Sequence, residues 1–503
     1  MALIGIIIIG MISALIFFWS RGSLWEDEII AISHGLQPLP LFFVEVLRHD
    51  IHPFIYFLLL KGWVAFLPES DQWALASSLL AALFSTLVVA YVSYQHFGKR
   101  TAFWATAIFV ILPNFAWAAG NLRMYALLPG LVLLMWHANI RFLLEGQRSW
   151  LLAGFLLEAI LINTHIIEFF FVGFIALGAL AISIQQAQKN YIKKWLFMQS
   201  LALILMFPIL TSAIFRGSEQ LPTPTISSLF LMPAQLISGW KLAYDPLAVS
   251  IGGVIFFSLL FVALRVKFPR ITVLVVVCGA LVTSMLVALF GKPLFKPPVF
   301  TANLVPFLVV SGAAGIATLK TNLAKSITMA LIGSLAIATI PWSISLLPRE
   351  SYRPAAEYIV AHAKSGDVVV VPNLSVHRGI LRYAVGHDWG HPLDIMRLEN
   401  KPAWARLIAK LGPEFASSIG LIPLQDYVEH NGIFYVISNN IKRDVPVTGN
   451  IWVVLKESYP ETVHFLKYFH IIDVHWFNEE LSVTRLSPAE SGILSVSNPS
   501  QDE

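Results

Sequence analysis

The sequence predicts a polytopic α-helical membrane protein of about 11 transmembrane helices followed by a C-terminal soluble α/β domain. Three observations carry this prediction. Of 503 residues, 57% are hydrophobic and only 13% charged, against roughly a quarter charged in soluble domains, and mean hydropathy is +0.71. Apolar runs of spanning length recur through the first 349 residues, separated by short basic loops. From Glu350 onward the composition turns soluble, with 13 Lys and Arg against 18 Asp and Glu, which leaves 21 basic and 12 acidic residues in 1–349.

A spanning helix needs roughly 17–25 mostly apolar residues. The runs that meet this length are 3–19, 73–94, 101–119, 125–144, 150–165, 166–184, 195–215, 247–264, 271–290, 301–318 and 326–346. The first run has neither a basic n-region nor a small-residue cleavage site, so it is expected to stay as an anchor. The adjacent pair 150–165 and 166–184 is also readable as one kinked element.

Lys and Arg favour cytoplasmic loops. Alternate loops carry Lys99 and Arg100, Arg141 and Arg148, Lys189 with Lys193 and Lys194, Arg265 with Lys267 and Arg270, and Lys320 with Lys325. All five agree if the N-terminus is cytoplasmic. Loops 26–71, 121–125, 216–246 and 291–298 then face outside, as does the tail. Residues 53–67 are apolar but short for a span, and counting them as one would move every later basic cluster outside. They are therefore expected to lie at the outer interface.

The division is 1–349, with a first outer loop at 20–72, and 350–503. In the tail, Arg353–Lys364 has helical spacing, while Asp367–Val371, Phe434–Ser438, Trp452–Leu455 and Ile471–Phe477 read as strands. The tail lacks a Gly-rich phosphate loop and reads as a packing or acceptor-docking module. The basic excess sits between apolar runs and so is no nucleic-acid signal. The single cysteine, Cys278, excludes an intramolecular disulfide framework and a multi-cysteine zinc site.

Seven of the twelve acidic residues in 1–349 fall between positions 26 and 71: Glu26, Asp27, Glu28, Glu45, Asp50, Glu69 and Asp71. Carboxylates crowded beside a low-dielectric slab gain proton affinity unless a cation compensates, which suits a general base. A solvated loop start is the plainer alternative. Asp50-Ile51-His52-Pro53 sets a carboxylate and an imidazole before a proline suited to a first helical turn, where capping is an equal reading. Asn121-Leu122-Arg123-Met124-Tyr125 puts an arginine where an apolar helix enters the bilayer. Such charges are functional suspects, with snorkelling to lipid phosphates the competing role.

Lys292 and Lys296, held among three prolines, suit a phosphate ligand or are incidental surface lysines. Glu158, Asn163, His165 and Glu168 fall within or between spans, with His165 expected at an outer end. Together these groups offer base chemistry and cations for an anionic leaving group, which fits transfer from a phosphate-linked lipid donor.

Leu24-Trp25-Glu26-Asp27-Glu28, Asp50-Ile51-His52-Pro53, Asn121-Leu122-Arg123-Met124-Tyr125 and Thr164-His165 occur in an order that resembles the bacterial GT-C glycosyltransferases. The relevant branch is the protein-mannosyltransferase and lipid A aminoarabinose-transferase group. Ser351–Tyr358 leading into Asp367-Val368 resembles the outer domain of bacterial members, so the resemblance covers essentially the whole chain. It implies a GT-C fold and inverting transfer of a sugar from a polyprenyl-phosphate donor to a protein, lipid A-like or glycan acceptor, at the outer face of the cell inner membrane.

The same resemblance implies Asp27 as the catalytic acidic residue supported by Glu28, Asp50 and His52 shaping the site, and Arg123 facing the donor phosphate. Tyr125, His165, Lys292 and Lys296 join the donor-binding set. No cofactor is called for, although Asp27, Glu28 and Asp50 would be the candidates for a divalent metal. The chain departs from the family at Phe54, where a second proline is usual. Arginines common in the family are also missing near Leu75-Ala76-Ser77 and Thr301-Ala302-Asn303. Two other readings compete: a lipid or glycolipid transporter, against which the clustering of charge at one face counts, and a catalytically silent GT-C relative that binds lipid-linked glycans.

Overall fold

The computed structural model describes residues 2–19, 23–37, 39, 42–43, 46, 52–67, 70–186, 190–214, 226–238, 246–289, 297–319, 333, 352–371, 374–385, 427–431, 433–437, 445–446, 450–456, 471–477, 481–486 and 493–494. Among these, five helices are long and apolar enough to cross a membrane: Asp71–Phe97, Glu168–Gln185, Pro246–Ala263, Arg270–Val287 and Pro297–Ala317. The chain is thus a multi-pass helical membrane protein. Four further predicted runs form the helices Ala2–Trp19, Leu128–Glu145, Arg148–Ile162 and Ile192–Ile214. The run at 326–346 lies outside the described residues, apart from residue 333.

Four local results differ from, or sharpen, the sequence reading. The run 101–119 is a broken element, Lys99–Ile111 followed by Pro113–Ala119 at an angle of 68°. Pro113 has no N–H to continue the first helix, and its fixed φ suits the first position of the second. The stretch 216–246, read as an outer loop, contains the helix Ile226–Ser238. Arg148–Ile162 and Glu168–Gln185 are separate helices. Ile55–Val64 has 10 residues, about 15 Å of helix, half of the ~30 Å hydrocarbon core.

Two compact units are present, one formed by 1–20, 49–56 and 75–347, the other by 21–48, 57–74 and 348–503. In the first, Pro297–Ala317 is enclosed along nearly its whole length, packed by Lys99–Ile111, Leu128–Glu145, Ile226–Ser238 and Pro246–Ala263. Small residues permit the close crossing with Pro246–Ala263: a Cβ on Gly315 would stand 2.1 Å from the Val262 carbonyl oxygen. Leu80, Leu87, Val254, Phe257 and Phe261 stay exposed, as lipid-facing side chains do.

The second unit holds a six-stranded sheet built from β1 (Val368–Val371), β2 (Tyr427–His430), β3 (Ile433–Ile437), β5 (Ile451–Lys456), β6 (Ile471–Trp476) and β7 (Leu481–Leu486), with β4 (Val445–Pro446) and β8 (Ile493–Leu494) paired apart. The order is β2-β3-β1-β5-β7-β6. β1 runs parallel to β3 and β5, and the other pairs are antiparallel. All four valines of β1 are buried, as a central strand covered on both faces requires. Asp367 locks its start, accepting from Asn450 N at 2.6 Å, Trp452 Nε1 at 2.9 Å and Lys364 N at 3.0 Å. The helices Tyr352–His362 and Leu374–Ala384 pack closely, a Cβ on Gly379 meeting the Tyr352 ring at 2.9 Å.

Candidate active site

In the second unit, the acidic run after the first predicted span forms the first turn of an amphipathic helix, Glu26–Leu36. Asp27 is half-exposed and Glu28 buried. Trp25 N donates to Glu28 Oε2 at 3.1 Å, so Glu28 satisfies an orphan amide at the helix start. At the other end Lys61 Nζ donates to the carbonyls of Gly35 and Gln37. His34 stands edge-on to Phe57 with centroids 5.0 Å apart.

Asp71, counted with the outer acidic residues in the sequence, is 5% exposed and fully engaged. Arg382 donates to Oδ1 from Nε at 2.9 Å and Nη2 at 2.6 Å, while Arg353 Nη2 and Tyr383 Oη donate to Oδ2, each at 2.7 Å. Burial, reinforced by the Asp71 charge, raises the Tyr383 phenol well above its usual range. Burial alone would lower Arg353, but the hydrogen bond and charge of Asp71 outweigh it and raise the guanidinium. Arg353, Arg382 and Tyr383 were not singled out in the sequence for this contact: they are hundreds of residues away, and a lone Asp gives no sign of its partners.

In the first unit, His52 and His165 meet with ring centroids 4.2 Å apart, and both are buried. The backbone secures the meeting: Ile55 N donates to Asn163 O at 2.9 Å, and Ile167 N donates to His165 Nδ1 at 3.1 Å. That second bond leaves any ring proton of neutral His165 on Nε2. Three residues on, Glu168 is fully buried and its Oε1 accepts from Asn303 Nδ2 at 2.7 Å. Asn303 stands in the region where the sequence departs from the family it resembles by lacking an arginine, and its contact with Glu168 has no sequence signal beyond two polar residues in apolar runs.

Arg123 is 4% exposed, which removes the snorkelling reading because the side chain ends inside protein and not in lipid headgroups. It precedes a short 3₁₀ turn, Met124–Ala126, beside an Asn121 carbonyl that accepts from Ser78 Oγ at 2.7 Å. Tyr125 stacks on Trp117 with centroids 5.5 Å apart. Both rings line a cleft of about 500 Å³, mouth included, with Phe109, Phe115, Asn114 and Pro298 among its other walls. The cleft lies at the Leu112–Pro113 break. There Asn114 Nδ2 donates to Leu236 O and Ile237 O at 2.7 and 2.9 Å, and Thr301 Oγ1 donates to Leu236 O at 3.2 Å. Asp50, Lys292 and Lys296 lie outside the described residues. Among the described residues no three His, Cys, Asp or Glu side chains gather as metal ligands would.

No protein-family model matches the sequence, and no curated protein does. Solved structures do match. ArnT from Cupriavidus metallidurans bound to undecaprenyl phosphate aligns with a TM-score of 0.55 at 13% identity, covering 96% of this chain and 97% of that one. The same protein in the apo state aligns with a TM-score of 0.58 at 13% identity, covering 96% and 98%. Coverage this complete in both directions leaves no large part of either chain unmatched. The chain has the ArnT fold. The fold implied by the sequence resemblance is therefore present.

Proposed function

We propose that the chain is a membrane glycosyltransferase that moves a sugar from a polyprenyl-phosphate donor to an extracytoplasmic protein, lipid or glycan acceptor. The likeness to an ArnT structure bound to undecaprenyl phosphate, over 96% of this chain, is the observation that carries this reading. Arg123, buried in an apolar body two residues before Tyr125 of the aromatic-walled cleft, supports it, because a charge placed there is costly and is a functional suspect.

In this reading Asp27 takes the proton of the acceptor hydroxyl. The freed oxygen attacks the anomeric carbon, the bond from that carbon to the phosphate oxygen breaks with inversion, and the polyprenyl phosphate leaves as an anion. Arg123 counters that charge, helped by Lys292 and Lys296, the kind of fixed electrostatic support that lowers a barrier most. Glu28 holds the turn carrying Asp27. Asp50, His52, His165 and Tyr125 bound the donor, and any divalent ion would be held by Asp27, Glu28 and Asp50. The Lys and Arg clusters of alternate loops support an inner-membrane protein whose site and tail, 350–503, face away from the cytoplasm.

The test is transfer by purified protein with defined polyprenyl-phosphate sugars, its acceptor sought by mass spectrometry of lipids and glycans from cells with and without the protein. Transfer that disappears in a folded Asp27→Asn variant supports the reading, and undiminished transfer removes Asp27 as the base. Tight binding of the lipid-linked sugar with no transfer by the unaltered protein identifies a silent relative, and lipid movement across vesicles without transfer identifies a transporter.

A further inference from the structure

The helix that carries Asp27 is pinned from the C-terminal part of the chain. Leu24 N, two residues before the helix, donates to Tyr383 Oη at 3.2 Å, and Tyr383 Oη in turn donates to Asp71 Oδ2 at 2.7 Å. The direction of this relay is fixed by charge. Asp71 is bound by two guanidiniums, from Arg382 and Arg353, and so accepts, which leaves the Tyr383 oxygen free to accept from Leu24. Arg353 also lies 4.9 Å over the Tyr383 ring, holding it in place.

A second pin sits further along the same helix, where Arg378 Nη1 donates to Ser33 Oγ at 3.2 Å and Ser33 Oγ donates to Ile30 O at 2.7 Å. Both pins come from the single helix Leu374–Ala384. Two attachments separated along a helix fix its rotation about its own axis, and with it the direction in which Asp27 points.

We propose that Tyr383 and Asp71 are positioning residues for the Glu26–Leu36 helix, so that the C-terminal domain sets the aim of the general base. This deepens the transfer reading above and rests on it for the kinetic part of the test. Catalytic groups act over tolerances of about 0.5 Å, so loss of one pin is expected to slow turnover more than it weakens donor binding.

The experiment is Tyr383→Phe in the full-length protein, which removes only the hydroxyl and keeps the ring beneath Arg353. Hydrogen exchange of peptides covering 23–30 is expected to quicken at least tenfold. kcat is expected to fall at least tenfold, with KM for the polyprenyl-phosphate sugar within twofold of the unaltered protein. Ser33→Ala, which cuts the second pin and leaves the Asp71 cluster intact, is expected to quicken exchange over 30–36 with a smaller loss of kcat. Exchange over 23–30 unchanged in Tyr383→Phe overturns the proposal, as does quickened exchange with kcat unchanged, or equal losses in kcat and in donor affinity. If Tyr383→Phe fails to fold, Ser33→Ala decides in the same terms. Should the unaltered protein transfer no sugar, the transfer reading fails by itself, and the exchange measurement alone tests the pin.

Discussion

His52 and His165 lie with ring centroids 4.2 Å apart and planes tilted by 39°, so the segment before the short helix Ile55–Val64 is docked on the connection between Arg148–Ile162 and Glu168–Gln185. The contact is aromatic and is backed by the Ile167 N–H bond to His165 Nδ1 at 3.1 Å. His165→Ala removes both and leaves a half-buried amide without its acceptor, an expected cost of about 1 kcal/mol. Thermal melting in detergent reads it. His165→Asn, whose side-chain oxygen can replace Nδ1, is expected to recover most of the stability while still slowing any sugar transfer. Full activity in the Asn variant would strip His165 of a role beyond structure.

Glu168 and Asn303 give a second test inside the helical body. Asn303 Nδ2 bonds Glu168 Oε1 at 2.7 Å and Val299 O at 2.9 Å. Asn303→Leu leaves a fully buried carboxyl without this donor and is expected to cost about 1–3 kcal/mol. Glu168→Gln keeps the acceptor and adds a donor, so it is expected to stay within about 1 kcal/mol of the original. Equal melting of Asn303→Leu and the unaltered protein would show that the pair contributes nothing.

Much of this architecture is legible in the sequence, because spanning helices are set by length and apolarity, and the strands at Asp367–Val371 and Trp452–Leu455 by β-branched runs. The order of acidic, His-Pro and Arg-x-Tyr segments carries the likeness that the ArnT fold bears out. What escapes is pairing over distance. Glu28 reads as a support for Asp27 and Asp71 as one more outer acidic residue, yet the first ties down a helix start and the second three side chains of the tail. The Pro113 break is hidden because hydropathy runs straight across it. The helix Glu26–Leu36 is hidden because its acidic first turn outweighs the apolar face formed by Ile29 and Ile32, both buried.

Gly315 tests the close packing of Pro246–Ala263 on Pro297–Ala317. A methyl group there would sit 2.1 Å from the Val262 carbonyl oxygen and 3.1 Å from Val262 Cβ, so the two backbones must part. Gly315→Ala is expected to lower stability by about 1–3 kcal/mol, the usual cost of overpacking. Gly62 is the control, since a Cβ there meets nothing within 4 Å. Gly62→Ala within a helix is expected to be neutral or to add up to about 1 kcal/mol. Melting temperatures that move the same way in both variants would contradict the packing argument.

His377 makes the stability of the C-terminal sheet depend on pH. Burial, opposed by the Tyr435 carbonyl and assisted by the charge of Arg378, lowers its pKa from 6.5 to about 4, and its Nε2 lies 3.4 Å from Tyr435 O. The unfolded chain takes up this proton at the higher pH, so the stability that neutral His377 contributes is complete above pH 6.5 and drains away as pH falls toward about 4. A shift of that size corresponds to about 3 kcal/mol. His377→Gln offers the Tyr435 carbonyl an amide N–H that does not titrate. Its melting temperature is therefore expected to fall less between pH 7 and pH 4 than that of the unaltered protein, and the two curves are expected to run parallel above pH 7. Parallel curves over the whole range would mean that His377 gains no proton on unfolding and that the acid sensitivity of this domain has another source.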